Sequence, residues 1–138
     1  MSRGRKKKKS AKGELTPLET MFMKVIWKKG SVTAAEMKEE LEKKRPLADT
    51  TVHTVLANMR KKGFIEPVPT VERALRFGPK VSRDNVAGRS LKKVLKDFFD
   101  GSPRRLMAHM IRNEDVDAGE LEEIRKMLEE SENKEGVQ

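Results

Sequence analysis

The residues best placed to do chemistry in this sequence are a run of short hydrogen-bonding side chains, Thr50, Thr51, His53, Thr54 and Asn58, closed by Lys61. They sit within DTTVHTVLANMRKKG, where Val52, Val55, Leu56 and Met59 recur at helical spacing and leave the polar set on the opposite face. An ordinary solvent face carries Glu and Lys, whereas small uncharged donors and acceptors can approach base edges and phosphates closely. Thirteen helical residues would span about 20 Å, a length suited to a groove. Catalytic and metal chemistry find no comparable support. Cysteine is absent, which excludes disulfides, thiolate metal sites and thiol catalysis. His53 and His109 are the only histidines, and neither belongs to an HExxH or similar ligand spacing. The glycines form neither a P-loop nor a GxGxxG motif. No catalytic residue, metal or cofactor is expected.

The elements that must position this helix are legible on both sides of it. Thr16-Pro17-Leu18-Glu19 combines a capping box with proline at the first helical position, and Leu18, Met21, Phe22, Val25 and Ile26 give an apolar face before Gly30. Thr33 and Glu36 form a second capping box, flanked by Val32 and Met37. That helix is predicted to bury Ala35, Met37 and Leu41 and to run to about Lys44, ahead of Arg45-Pro46. Asp49 is the expected cap of the third helix and Gly63 its stop. Beyond it, Phe64, Ile65 and Val68, then Leu75 and Phe77, alternate as in a short hairpin with its tip within Pro69–Arg73. Pro67 and Pro69 confine the first strand to an edge. Three helices followed by such a ribbon predict a winged helix-turn-helix, mainly α, with helix three in the major groove and Arg73 or Arg76 of the wing reaching phosphate or the minor groove.

Residues 81–131 predict three further helices and no strand. Their apolar stripes contain Leu91, Val94, Leu95 and Phe98, then Leu106 and Met110, then Leu121, Ile124 and Leu128. A unit of about 50 residues seldom stabilises itself, so these stripes are expected to be buried against a second copy of the chain.

Charge is unevenly spread along the 138 residues, whose net value is +9. Residues 1–13 contribute +7, from Arg3, Arg5, Lys6, Lys7, Lys8, Lys9 and Lys12 without an acid, residues 14–113 contribute +9, and residues 114–138 contribute −7. With 38% charged and 4% aromatic residues the core must be modest. A polyanion is the expected partner of the first part. The organisation expected is a disordered basic tail over 1–13, a DNA-binding domain over 14–80, a helical dimerisation region over 81–131 and a flexible end over 132–138. No apolar run is long enough for a signal peptide's core or a membrane span, so a cytoplasmic protein without a membrane partner is expected. The rival reading is a sequence-tolerant nucleoid or RNA-binding protein that uses the basic tail.

From Leu15 to Leu128 the sequence resembles the BlaI/MecI/CopY penicillinase-repressor family, through LTPLETMFMKVIWKKGSVTAAEM, TTVHTVLANMRKKGFI and RNEDVDAGELEEIRKML. The resemblance implies a homodimeric transcriptional repressor with an N-terminal winged helix on an operator dyad, where half-sites commonly carry TACA and TGTA. It places Thr50, Thr51, His53, Thr54 and Asn58 at positions that contact DNA. His53 and Asn58 stand where the antibiotic-resistance repressors often carry arginine, a departure that bears on base preference. Copper-responsive relatives receive metal on C-terminal cysteines, which this chain lacks. Antibiotic-responsive relatives are released when a regulatory protease cuts an Asn-Phe bond in the fifth helix. Alignment on Arg112-Asn113-Glu114 puts His109-Met110 at that position.

Overall fold

The computed structural model describes residues 11–137, with side chains through residue 133. The elements follow in the order α1 (Pro17–Lys29), β1 (Val32–Thr33), α2 (Ala34–Leu41), α3 (Asp49–Lys62), β2 (Ile65–Pro67), β3 (Arg76–Pro79), α4 (Arg83–Phe99), α5 (Pro103–Arg112) and α6 (Ala118–Val137). The architecture is a winged helix-turn-helix followed by three helices.

Local chemistry sets most of these boundaries. At α1 the Glu19 N–H donates to Thr16 Oγ1 at 3.1 Å while the Thr16 N–H donates to Glu19 Oε1 at 2.9 Å, satisfying two of the helix's unpaired donors. Thr33 and Glu36 repeat the exchange at 3.1 and 3.2 Å in front of α2. The first helix ends at Gly30 and the third at Gly63, whose φ of 91° in the left-handed region favours a residue without Cβ.

The wing differs from the two-stranded hairpin expected. Val32 and Thr33 form a third strand, giving the antiparallel order β1-β3-β2 with Val32 opposite Phe77, Thr33 opposite Arg76, and Ile65, Glu66 and Pro67 opposite Pro79, Gly78 and Phe77. Thr33 serves both elements because a helix N-cap has extended dihedrals, here φ −92° and ψ 167°, which also suit the end of a strand. Pro67 lies on the edge strand β2, where a missing N–H costs no ladder bond.

One core joins these elements. Phe22, Met23 and Ile26 of α1, Met37 and Leu41 of α2 and Val52, Leu56 and Met59 of α3 pack with Phe64, Ile65 and Phe77. Each large side chain removed from water here contributes about 1.5–3 kcal/mol relative to exposure. Leu75 is 59% exposed on the wing. Two expectations are corrected: Ala35, read as buried, is exposed, and α2 stops at Leu41 rather than near Lys44. Asp49 is not a cap either. Ala48 holds that position without a side-chain hydrogen bond, and the Asp49 carboxylate is turned to Lys38 Nζ at 3.2 Å.

The chain divides into two compact units between Ala87 and Gly88, inside α4, rather than at residues 80 and 81. The start of α4 belongs to the first unit for a visible reason: Trp27 Nε1 donates to the Val81 carbonyl at 3.0 Å, the Arg83 guanidinium lies 5.3 Å from the Trp27 ring centroid, and Val86 packs on the core. The first unit also starts earlier than residue 14. Ala11 is buried, and the Lys12 N–H donates to the Lys62 carbonyl at 2.8 Å, so residues 11–13 are held where a disordered stretch was expected. In the second unit α6 continues past residue 131 to Val137, through Glu, Ser, Asn and Lys residues with no breaker before Gly136.

Candidate nucleic-acid interface

Burial divides α3 as its sequence predicts. Val52, Leu56 and Met59 face the core and Val55 is half-buried, while Thr50, His53, Thr54, Asn58 and Lys61 are exposed and Thr51 is half-buried. None of the side chains of Thr50, Thr51, Thr54, Asn58 and Lys61 hydrogen-bonds to a described residue, so their donors and acceptors face solvent. The helix has 14 residues, about 21 Å at 1.5 Å each.

Both ends of α3 are fastened. Asp49 pairs with Lys38 of α2 at the start. At the other end Lys62 Nζ donates to Glu19 Oε1 at 2.7 Å and to the Glu14 carbonyl at 3.1 Å. Glu19 is only 4% exposed, and its Oε1 also accepts the capping Thr16 N–H, so one carboxylate ties the first turn of α1 to the last turn of α3. The capping role of Glu19 is visible in the sequence. Its pairing with Lys62, 43 residues away, is not.

The wing's two arginines have different settings. Arg73 is exposed and makes no ion pair or hydrogen bond with a described residue. Arg76, on the central strand, donates to Glu36 Oε2 at 2.7 Å, Glu72 Oε1 at 3.2 Å, Ser31 Oγ at 3.1 Å and the Ser31 carbonyl at 3.3 Å. These contacts make Arg76 a clamp between the sheet and α2. Hydrogen bonding from Arg76, aided by the Thr33 N–H, lowers the Glu36 pKa, and the Glu36 and Glu72 carboxylates raise that of Arg76. The tail residues Arg3, Arg5, Lys6, Lys7, Lys8 and Lys9 lie outside the described residues.

In the second unit Val116 is the one buried side chain among the described residues. Leu91, Val94, Ile124 and Leu128 are 40–58% exposed and Phe98 is 77% exposed, whereas Leu95, Leu106, Met110 and Leu121 are half-buried. His109 is exposed on α5, its ring edge-on to Phe99 with centroids 5.5 Å apart. Among the described residues no group of three or more His, Asp or Glu is placed to hold a metal ion, and no helix is long and apolar enough to cross a membrane.

A helix with an exposed polar row, carried on two capped helices and flanked by a three-stranded wing, defines a protein of the winged helix-turn-helix class. The penicillinase repressor family matches residues 15–130, and the chain belongs to that family. It is 27% identical over 115 residues to a penicillinase repressor of Staphylococcus aureus, covering 83% of this chain and 90% of the relative. The methicillin resistance regulatory protein MecI of Staphylococcus aureus is 24% identical over 115 residues, with 83% and 93% covered. The transcriptional regulator BlaI of Mycobacterium tuberculosis is 32% identical over 120 residues, with 86% and 85% covered. Among solved structures, the complex structure of hsRosR-S4 matches with a TM-score of 0.47 and 18% identity over 73% of this chain and 89% of that one.

Proposed function

We infer that the protein is a DNA-binding transcriptional repressor that reads a specific operator as a homodimer. The observation that carries this reading is the exposed row on α3, whose hydrogen-bonding groups have no partner among the described residues while the opposite face is buried. Thr50, Thr51, His53, Thr54 and Asn58 are assigned to base edges and nearby phosphates, Lys61 and Arg73 to the backbone, and the tail bases to phosphates outside the winged helix. Arg76 is left out because its donors are engaged by Glu36, Glu72 and Ser31. The α4–α6 stripes support pairing with a second copy, since Phe98 is 77% exposed, Leu91, Val94, Ile124 and Leu128 are 40–58% exposed, and Val116 is the one buried side chain among the described residues of that unit. Membership in the family and its repressor relatives support the operator reading. Release by a protease at His109-Met110 follows the family position, and the exposed His109 side chain is compatible with it.

Selection of bound sequences from a pool of random duplexes tests the reading. A dimeric repressor returns an inverted repeat with half-site centres about 10–10.5 base pairs, or a multiple, apart. A pool that stays random after repeated rounds supports the sequence-tolerant alternative instead.

A further inference from the structure

Between α2, α3 and the wing the first unit leaves an apolar cleft of 510 Å³, open to solvent. Four of its lining residues are alanines: Ala34 and Ala35 in the first turn of α2, Ala57 on α3 and Ala74 before β3. Small side chains at these positions leave the space between the elements unfilled, and Leu56 and Phe77, both under 10% exposed, close the cleft from beneath. The alanine content also accounts for the exposure of Ala35, which reads as core by periodicity but borders this space.

Arg60 is the cation of this lining, on the same α3 face as Ala57 and two turns from His53. It is exposed and makes no ion pair or hydrogen bond with a described residue, unlike Arg76, which is engaged on all sides. A guanidinium with no partner among the described residues, beside a carbon-walled cavity, suits a ligand with an apolar body and an anionic head. A sugar-phosphate backbone fits poorly here, because the walls offer hydrocarbon where its hydrated oxygens need donors. The volume lies within the roughly 300–1,000 Å³ range of small-molecule sites.

We propose that this cleft is an effector site for an amphipathic aromatic carboxylate, with the ring against Ala57, Leu56 and Phe77 and the carboxylate on Arg60. His53 lines the same cleft and belongs to the exposed row assigned to DNA, so an occupied cleft displaces the duplex. This second consequence rests on the DNA-binding reading, whereas the existence of the site does not.

2-Naphthoate titrated into the isotope-labelled full chain, followed by amide chemical shifts, tests the site directly. The expected result is a saturable set of shifts centred on His53, Ala57, Ala74 and Phe77. The uncharged 2-naphthamide binds at least about tenfold more weakly, and Arg60→Gln removes that difference, as loss of a charge-assisted hydrogen bond requires. Ala57→Leu fills the cleft and abolishes the shifts, while its unchanged thermal midpoint shows that the fold persists. Shifts centred on Phe98, Ile124 and Leu128, no saturation at millimolar ligand, or equal affinity for acid and amide overturn the proposal. For the effector role, naphthoate must displace a selected duplex from the wild-type chain while naphthamide at the same concentration does not. Naphthoate that fills the cleft and leaves duplex binding unchanged overturns that role alone, and failure to bind any duplex selectively counts against the DNA reading without touching the shift result.

Discussion

Thr54 and Asn58 lie one turn apart on α3, both exposed, so either can lose its polar atoms without disturbing Leu56 or Met59 beneath. If they read bases, Thr54→Ala or Asn58→Ala costs about 1–3 kcal/mol at one operator position and relaxes preference there. Lys61→Ala, which removes only a positive charge, is expected to weaken operator and random duplexes alike. Titrating the three variants against single-position operator variants separates the roles, and equal losses on every sequence contradict them. Glu36 makes a second prediction at this scale. Its carboxyl titrates below its ordinary value of 4.5 because Arg76 and the Thr33 N–H stabilise the charged form. A lowered native pKa contributes stability that is fully present above about pH 4.5 and is lost as pH falls through the lowered value. Glu36→Gln should therefore lower the thermal midpoint at pH 7 and narrow its gap to the wild type as the medium is acidified below 4.5. A gap independent of pH would mean that the Arg76 clamp does not act through the Glu36 charge.

Among the elements, α4, α5 and α6 carry the clearest unmet requirement. Phe98 is 77% exposed and Leu128 58%, each on a helix stripe whose apolar spacing calls for a covering surface. Phe98→Glu is expected to shift the full chain from dimer to monomer in sedimentation at micromolar concentration and to weaken operator binding, because the tethered second module is lost. A wild type that already sediments as a monomer contradicts the dimer. The end of α3 gives a smaller prediction. At Gly63, φ is 91° and an added Cβ would stand 3.6 Å from Ala11 Cα, so the strain of Gly63→Ala is conformational, about 1 kcal/mol in an unfolding titration. These elements also show what sequence can and cannot reveal. Capping boxes at Thr16 and Thr33 and the period of Val52, Leu56 and Met59 are local patterns, so the helices and the polar face of α3 are legible. The strand at Val32–Thr33 is only two residues long and depends on Phe77 and Arg76, far along the chain, and no local pattern signals such a partner. For the same reason Arg73 and Arg76 look equivalent in the sequence, although Glu36 and Ser31 engage one and not the other. The alanine-lined cleft is equally hidden, since its residues come from three separate segments.

For the whole molecule, charge and reach set the behaviour toward DNA. Anchoring of Ala11 and Lys12 against the end of α3 fixes where the basic tail begins. Ten extended residues span up to about 35 Å, more than the length of α3 itself. Removing residues 1–10 is expected to lower affinity for operator and random duplex by similar factors. It should also make the salt dependence shallower, by up to about 0.9 in slope for each base that sits on a phosphate. An unchanged slope would leave the tail without a DNA role. The central claim, that α3 reads sequence, is tested most directly by the specificity ratio. The full chain is titrated at one fixed salt concentration against the selected operator and against random duplex of equal length. The account predicts an affinity ratio of about 10³ or more, falling for Asn58→Ala with little change in random-duplex binding; a ratio near one, unmoved by that substitution, would contradict it.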